Sequence, residues 1–376
     1  MSARVLLSSP DIGPLEEAFV LRALRSGWVA PAGPDIDEFE REIASRAGTA
    51  GAVAVSSGTA ALHLALLCVG AAHGRLVIVP TLTFAATANA VVYTGAQPVF
   101  TDCDPATGNV DPALLSELLP RLQREGHQVA AVIAVDINGS CADYSRIRPV
   151  CEAAGVPLIE DAAQALGSAH AGRPAGSFGR VAIFSFNGNK LITTSGGGMI
   201  TSDDAALLAR CRHLATQARE PVAHYEHRDV GYNYRLSNLL AALGRAQLQR
   251  IDGMIARRRR IREQYAKLFA PVDGVRILND ADPDGNCWLT TLVVDPLRTS
   301  WTAAELAAYL AERGIETRPM WKPMHRQPVH QGCRAALTGA ADGLYESGVT
   351  LPSGSALTSD QVDHVIGTIT DFLAAR

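Results

Sequence analysis

One lysine of the chain has surroundings that suit a nucleophile. Lys190 ends the stretch FSFNGNK (residues 184–190), in which an apolar run enters a bend of Gly and Asn, and TTSGGG (residues 193–198) follows. The residues on both sides are apolar or small, with no neighbouring charge. A lysine loses its proton near neutral pH when it is partly removed from water or close to another positive group. The pattern therefore indicates a catalytic amine, while a surface-loop lysine is the ordinary alternative.

A second motif is the turn Ser56-Ser57-Gly58-Thr59, which lies between the apolar run AVAVS and the helical run AALHLALL. A small, hydroxyl-rich turn at a helix N-terminus offers free N–H groups and the positive end of the helix dipole to a phosphate. An ordinary helix cap would use the same residue types. By itself the turn does not decide between the two.

A third motif is the acid in EDAAQ (residues 160–164), where Asp161 ends the apolar run PLIED. A carboxylate there can face a ligand or cap the next helix. Pyridoxal phosphate (PLP) needs a phosphate site, a lysine that carries it as a Schiff base, and an anion at its pyridine nitrogen. That anion keeps the ring protonated as an electron sink. The turn, Asp161 and Lys190 supply all three if they meet in the fold.

The elements that must position these motifs alternate along the first two-thirds of the chain. Short runs rich in Val and Ile, typical of strands buried on both faces, are separated by helical runs such as AALHLALLCV. The strand candidates end at Ser56, Pro80, Asp102, Asp136, Asp161 and Phe186. This alternation predicts a parallel α/β sheet covered by helices, with ligands beyond the carboxyl ends of its strands.

A long helical segment, from about Leu236 to Phe269, separates this part from the rest. We expect its basic run, Arg257 to Arg260 and then Arg262, to be the solvated face of a helix joining two domains, rather than a polyanion-binding or localisation signal. The composition changes beyond the helix and indicates a smaller α/β domain. The predicted division is a large PLP-binding domain of residues 1–250 and a small C-terminal domain of residues 251–376.

The bulk composition argues against several classes of protein. With 376 residues, 47% hydrophobic, and a formal net charge of -4, the chain suits two folded domains and not a nucleic-acid binder that relies on positive charge. Seven cysteines without a CxxC pair or zinc-like spacing predict reduced thiols and no metal site. A dinucleotide oxidoreductase is disfavoured because no GxGxxG follows the first strand. Lacking a signal peptide or a membrane-length apolar run, the chain is expected to be a cytoplasmic enzyme with no membrane partner.

Across essentially its whole length, the sequence resembles the DegT/DnrJ/EryC1/StrS group of sugar aminotransferases. The resemblance is carried by SGWVAPAGPDIDEFE, SSGTAALHLAL, PTLTFAATANAV, EDAAQALGS, FSFNGNKLITTSGGGM, GYNYRLSNLLAALGRAQL, RPMWKPMH and LPSGSALT. It implies a fold type I PLP-dependent transferase of the aspartate-aminotransferase kind, with a large, mostly parallel sheet domain and a smaller C-terminal α/β domain. It also implies transamination with pyridoxal 5'-phosphate as the cofactor.

The resemblance implies cofactor contacts at eight positions: Gly58, Thr59, Phe84, Asp161, Gln164, Ser185, Lys190 and Asn233. Lys190 would form the Schiff base and, once freed, move the proton between cofactor and substrate carbons. Asp161 would pair with the pyridine nitrogen, Gln164 would lie near the phenolic oxygen, and Phe84 would stack on the ring. Asn233 would reach the phosphate of the neighbouring subunit's cofactor in a homodimer, although a turn residue is its ordinary interpretation. The remaining three would hold the phosphate.

For the substrate, residues 186–190 and RPMWKPMH (residues 318–325) resemble the family branch that aminates C4 of a UDP-linked 4-keto-6-deoxy-N-acetylhexosamine, on the route to bacillosamine-type sugars. Glutamate is the usual amino donor of that branch. A nucleotide sugar needs cations for its diphosphate and a flat surface for its base or sugar. The candidate contacts are Arg318, Trp321, Lys322 and His325, followed by Arg228 and Arg235. Interdomain packing is the alternative for Trp321, and a core or surface position for His325.

Several alternatives stay open on the sequence. Members of the same family could act on a dTDP- or GDP-linked keto sugar or on a non-nucleotide cyclic ketone. Relatives that dehydrate sugars replace the Schiff-base lysine with histidine, so Lys190 favours transamination. A PLP-binding regulatory protein without turnover is the hypothesis from another class.

Overall fold

The apolar runs form one large sheet in the computed structural model, which describes residues 4–376. Residues 1–3, which begin the stretch considered for a signal peptide, lie outside the described part. The strands are β1 (Gly51–Val55), β2 (Leu76–Pro80), β3 (Gln97–Thr101), β4 (Val129–Val135), β5 (Leu158–Asp161), β6 (Ala169–His170), β7 (Arg173–Pro174), β8 (Val181–Ser185), β9 (Gly198–Ser202), β10 (Val275–Ile277), β11 (Thr290–Val294), β12 (Arg318–Pro319), β13 (Ala335–Ala336) and β14 (Gly348–Leu351).

Helices connect and cover these strands. The α-helices are α1 (Pro14–Arg25), α2 (Pro34–Ala47), α3 (Gly58–Cys68), α4 (Ala85–Tyr93), α5 (Pro112–Arg124), α6 (Tyr144–Ala153), α7 (Ala205–Ala215), α8 (Asn238–Phe269), α9 (Ala303–Glu312), α10 (Ala340–Ser347) and α11 (Ser359–Ala374). Short 3-10 helices span Ile137–Gly139, Met324–Arg326 and Pro328–His330. In the described part of the chain, no helix is both long and apolar enough to cross a membrane.

The large sheet brings the carboxyl ends of β1, β5 and β8 to one edge. Its order within residues 4–376 is β1-β9-β8-β5-β4-β2-β3-β13. Neighbours pair in parallel from β8 through β13, and β9 runs antiparallel between β1 and β8. All six strand candidates lie in this sheet, so the predicted mostly parallel α/β sheet is confirmed. Because β1, β5 and β8 point the same way, Ser56, Asp161 and Ser185 reach the same edge of the sheet.

Both faces of the sheet are buried, which explains why its strands are continuous apolar runs. Along β1, Val53 and Val55 pack with α3 on one face, while Ala52 and Ala54 pack on the other with Phe39 of α2. Side chains of a strand alternate between faces, so both sets must be apolar. The sheet is therefore packed against other elements on both faces, and its edge is where polar groups can meet a ligand.

The C-terminal part forms a second sheet with its own core. Its strands follow the order β10-β11-β14-β12 with antiparallel pairing, and Trp301 and Phe372 pack in the apolar core beside it. The predicted division at residues 250 and 251 falls inside α8, so one continuous helix crosses it. The core that α8 packs against changes between Ile255, which joins the large-domain core, and Ile261, which joins the small-domain core.

The basic run of α8 is a solvated face only in part: Arg259 and Arg260 are exposed as expected, whereas Arg257 and Arg262 are half-buried and Arg258 is buried. Arg258 is 1% exposed and donates to the carbonyls of Trp288 and Ser353. Its neighbours also donate to carbonyls: Arg257 to Leu357, Arg259 to Gly285 and Arg262 to Leu278. Burying a guanidinium is tolerated because it has five donors for otherwise unpaired carbonyl oxygens. The run therefore fastens α8 to the segments that pack on it.

Candidate active site

A cavity of about 980 Å³ opens at the carboxyl ends of β1, β5 and β8. Seven of the eight expected cofactor contacts line it: Gly58, Thr59, Phe84, Asp161, Gln164, Ser185 and Lys190. Three of the four expected substrate contacts also line it: Arg318, Trp321 and Lys322. The structure thus brings together residues that lie far apart in the sequence, and the parallel sheet is what brings them together.

The phosphate-cradle expectation fits the start of α3. The Ser57 hydroxyl accepts a hydrogen bond from Ala60 N at 3.0 Å, which caps the helix. The N–H groups of Gly58 and Thr59 lie in the first helical turn, where no intrahelical acceptor exists. A side chain at position 58 would meet Cβ of Ser185 at 2.8 Å, so only glycine lets Ser185 approach the helix end. These groups form a small polar recess that suits a phosphate.

Asp161 lies at the floor of the cavity with both carboxylate oxygens engaged. It is 3% exposed; Thr87 Oγ1 donates to its Oδ2 at 2.8 Å and Ala163 N donates to its Oδ1 at 3.2 Å. Burial raises the pKa of Asp161, while these two hydrogen bonds and the positive charge of Lys190 act in the opposite direction. A cation held against the carboxylate would lower its pKa, as a protonated pyridine nitrogen would.

Lys190 sits on a tight bend, with its backbone N–H donating to Asn187 O at 2.9 Å. Its Nζ lies 4.3 Å from the ring centroid of Trp288. Removal of the amine from water lowers the pKa of Lys190 to about 8, although the charge of Asp161 raises it. An amine with this pKa is partly unprotonated near neutral pH and can act as a nucleophile.

Gln164 presents one end of its amide to the cavity. It is 4% exposed, and its Oε1 accepts a hydrogen bond from Asn138 N at 2.8 Å. Asn138 has a left-handed backbone with φ 57, and its side chain donates to Thr291 Oγ1 at 2.9 Å. With its oxygen occupied, Gln164 keeps its N–H₂ group for a ligand oxygen. This arrangement fits the expected phenolic oxygen of the cofactor.

Two aromatic rings lie next to each other at the cavity wall, tilted relative to one another. Phe84 is 58% exposed, and its ring centroid lies 6.1 Å from that of Trp321 at an interplanar angle of 54°. An exposed aromatic ring beside an acid and a lysine is a suitable surface for stacking a flat heterocycle. The Trp321 ring extends this surface toward the small domain.

The cations at the cavity differ in their surroundings. The Arg318 side chain is 65% exposed, and Arg318 Nη2 forms an ion pair with Glu316 Oε1 at 2.7 Å. Lys322 lines the same cavity and is partly exposed. An exposed guanidinium held by one carboxylate still has donors free for an anion such as a phosphate.

His325 is not brought to the cavity, which corrects its expected place among the substrate contacts. Its Nδ1 lies 2.7 Å from Thr81 Oγ1, and its Nε2 lies 3.3 Å from Asp342 Oδ2. Both ring nitrogens are thus occupied by protein partners, and the residue is absent from the cavity lining. Its role in this structure is to connect the end of β2 with α10.

Asn233 does not line the cavity of its own chain. It is exposed and forms an isolated β-bridge with Thr216. The two further arginine candidates form ion pairs elsewhere: Arg235 with Glu40 at 3.0 Å, and Arg228 with Glu226 at 3.5 Å. Neither arginine lines the cavity.

Among the cavity residues that sequence reasoning missed are Thr87, Asn138 and Trp288. Thr87 lies within the motif PTLTFAATANAV, where its position one helical turn after Thr83 was a usable signal. Asn138 follows a strand candidate, at a place where ligand contacts are expected. Trp288 had no such signal because it lies 98 residues from Lys190 in sequence.

Comparisons with known proteins show which family the chain is similar to. A sequence model of the DegT/DnrJ/EryC1/StrS aminotransferase family matches residues 10–370. EpsN of Bacillus subtilis, named as a pyridoxal phosphate-dependent aminotransferase, is 43% identical over 97% of this chain and 95% of its own. GDP-perosamine synthase of Escherichia coli O157:H7 is 35% identical over 98% of both chains. The solved structure of DesI in the presence of its TDP-sugar product has a TM-score of 0.89 and 31% identity, over 98% of this chain and 93% of DesI.

Proposed function

The chain belongs to the DegT/DnrJ/EryC1/StrS aminotransferase family and is a PLP-dependent sugar aminotransferase, and we propose that it transfers the amino group of L-glutamate to C4 of UDP-2-acetamido-4-keto-2,6-dideoxyhexose. The product is the corresponding 4-amino sugar. The observation that carries the proposal is a single cavity with Lys190 and Asp161 at its floor and the cations Arg318 and Lys322 in its wall.

In this proposal each residue of the site has a distinct role. When bound, PLP supplies an electron sink that makes the hydrogen on the amino-bearing carbon acidic. Lys190 binds the cofactor and then moves a proton with its freed Nζ, for which its lowered pKa is suited. Asp161 holds the positive charge of the ring nitrogen. Gln164 donates to the phenolic oxygen, and the start of α3 binds the phosphate.

Arg318 and Lys322 are proposed to bind the substrate diphosphate, with Trp321 beside Phe84 as the flat surface for the base or the sugar. Glutamate and the nucleotide sugar both carry negative charge and bind in alternation during transamination. The same two cations can therefore serve both substrates.

The identity of the nucleotide is the most specific part of the proposal. Support for UDP and the acetamido group comes from the resemblance of residues 186–190 and 318–325 to the bacillosamine branch. Among the relatives, GDP-perosamine synthase is named for a GDP-linked sugar, and DesI was solved with a TDP-linked product. These two nucleotides are therefore the alternatives that an experiment must separate.

The test is to incubate the PLP-loaded enzyme with L-glutamate and UDP-, GDP- and dTDP-linked 4-keto-6-deoxy sugars. Amino-sugar product is measured by mass and 2-oxoglutarate by a coupled assay. We expect product from the UDP-linked acetamido sugar. Reaction with only the GDP or dTDP sugars would overturn the nucleotide assignment, and no reaction with any of them would overturn the substrate class.

A homodimer with shared active sites is part of the same proposal. It is supported by the exposed position of Asn233 and by exposed apolar residues on the preceding segment, where Tyr225 and Val230 are 79% and 81% exposed. Large apolar side chains exposed together indicate a protein contact. In the proposed assembly, Asn233 of each subunit reaches the phosphate held at α3 of the other.

A further inference from the structure

Trp288 is the aromatic residue whose ring faces the candidate nucleophile. It is 2% exposed and lies just before β11. The ring centroid lies 4.3 Å from Lys190 Nζ, and the indole Nε1 donates to the carbonyl of Asn189 at 2.8 Å. One side chain therefore contacts the lysine with its face and the lysine's bend with its edge.

The indole is held rigidly from several sides. Trp288 N donates to Asn286 Oδ1 at 2.8 Å, and the Trp288 carbonyl accepts from buried Arg258 at 2.7 Å. Asn286 in turn donates to the carbonyls of Gln164 and Leu166 at 2.8 and 3.0 Å. These bonds fix the ring relative to the end of β5, where the acid of the site also lies.

We propose that Trp288 is a positioning residue for Lys190, whose free ε-amino group rests against the indole face in a fixed place whenever it is not bound to the cofactor. The inference rests on the proposed role of Lys190 as the lysine that carries PLP. A free lysine side chain has several rotatable bonds, and an amine that must carry a proton works best from one defined position. The electron-rich indole face attracts the ammonium form and so selects that position.

Simple packing does not explain the arrangement equally well. The Asn189 carbonyl also accepts from Ser8 Oγ at 3.0 Å, so the bend keeps one anchor without the indole N–H. An aliphatic side chain could fill much of the space, but it offers neither a π face nor a donor. Replacing Trp288 with an aliphatic residue therefore removes the interaction with Lys190.

The two roles predict opposite changes in the pKa of Lys190. If the indole face stabilises the ammonium form, its removal makes the amine a stronger acid. If Trp288 only fills space, its loss admits water and raises the pKa toward that of an exposed lysine. The direction of the change therefore distinguishes positioning from packing.

The experiment compares Trp288→Leu and Trp288→Phe with wild type in cofactor-free protein. The rate of Lys190 acetylation by acetic anhydride is followed by peptide mass spectrometry across pH, which gives the acid dissociation constant of that one amine. We expect the constant to increase about fivefold in Trp288→Leu and less in Trp288→Phe, which keeps an aromatic face. Trp301→Leu, in the small-domain core, is the matched control and is expected to leave the constant unchanged.

An unchanged or decreased constant in Trp288→Leu overturns the inference. If Trp288→Leu does not fold, Trp288→Phe carries the test, because the weaker face of its ring still predicts an increase. Borohydride trapping of PLP separates the two proposals. Loss of trapping at Lys190 of the wild type overturns the proposed function, whereas normal trapping with an unchanged constant overturns only the role of Trp288.

Discussion

Thr87 donates its hydroxyl to Asp161 Oδ2 over 2.8 Å and so links the first turn of α4 to the end of β5. Thr83 Oγ1 lies 2.8 Å from Thr87 Oγ1. Because the single hydroxyl hydrogen of Thr87 is used on Asp161, Thr83 must be the donor in the second bond. With Ala163 N on the other oxygen, the carboxylate is fixed in orientation and still has lone pairs for a cation.

We predict that Thr87→Val lowers kcat about tenfold, since a hydrogen bond to a charged group is removed and the pKa of Asp161 rises further. The affinity for PLP should fall as well. Both are measured by steady-state kinetics and by cofactor titration. Thr83→Val is the matched control because it leaves the bond from Thr87 to Asp161 in place. Equal losses in the two variants would contradict the assignment.

A second prediction concerns the pH dependence of cofactor attachment. Because burial lowers the pKa of Lys190 to about 8, the rate of covalent attachment to cofactor-free protein should rise with pH and level off above that value. For an ordinary lysine, the rate of covalent attachment would continue to rise until about pH 10. The rate is measured by borohydride trapping and mass analysis of the peptide that contains Lys190.

The variant Asp161→Asn tests how the charge of Asp161 affects the pKa of Lys190. The charge of Asp161 raises the pKa of Lys190, so its removal should shift the attachment profile to lower pH. Peptide mapping at each pH shows whether label stays on Lys190. A profile that moves to higher pH, or does not move, would argue against direct coupling of the two groups.

The sequence was sufficient to predict the floor of the site. Val- and Ile-rich runs identified six parallel strands, and parallel strands bring their carboxyl ends to one edge, so the turn at Ser57, Asp161 and Lys190 had to meet. The short strand β9, which enters antiparallel between β1 and β8, was not among the candidates. A five-residue run after a glycine-rich stretch has too little pattern to identify a strand.

The sequence did not predict contacts between residues that lie far apart along the chain. Trp288 and Lys190 meet only because the segment before β11 packs on the large domain. Arg258 was expected to be solvated because a run of charges does not show which of its residues another segment will cover. His325 belongs to a motif with cavity residues, but its ring turns toward Thr81 and Asp342. Side-chain direction at a bend is set by tertiary packing.

A third prediction tests shared active sites by mixing two variants. Lys190→Ala removes the nucleophile, and Asn233→Ala removes the proposed contact to the partner's phosphate. In a mixed dimer, one site combines the intact Lys190 of one subunit with the intact Asn233 of the other. Random mixing should therefore restore about one quarter of wild-type activity. Co-expressed variants are assayed against each variant alone, and activity equal to the mean of the two would contradict a shared site.

A fourth prediction concerns two carboxyl groups behind the site. Asp136, after β4, and Glu160, on β5 beside Asp161, are both 0% exposed. Asp136 Oδ1 accepts from Ala142 N and the Tyr144 hydroxyl at 2.9 and 2.7 Å, while its buried Oδ2 has no hydrogen-bond partner among the described residues. Burial and the neighbouring carboxylate raise the pKa of Asp136, and burial raises the pKa of Glu160 to about 7. We predict that the two carboxyl groups share one proton.

The pair should make wild-type stability fall with rising pH. A carboxyl whose folded-state pKa is raised contributes stability that is complete below its ordinary pKa of 4.5 and is lost as pH rises through about 7. Asp136→Asn replaces the shared proton with a permanent amide N–H facing Glu160, while Oδ1 keeps its two donors. We expect this variant to fold, to be at least as stable as wild type at about pH 8, and to lose most of the pH dependence.

Chemical denaturation midpoints at about pH 5 and about pH 8 measure the effect. Asp102→Asn is the contrasting control, because both oxygens of Asp102 accept from backbone N–H groups, including those of Gly339 and Ala341. An amide at this position places its own N–H₂ group opposite a backbone N–H donor, which should lower the free energy of unfolding by about 1–3 kcal/mol at either pH. If Asp136→Asn kept the pH slope of the wild type, the proton would not be shared between Asp136 and Glu160.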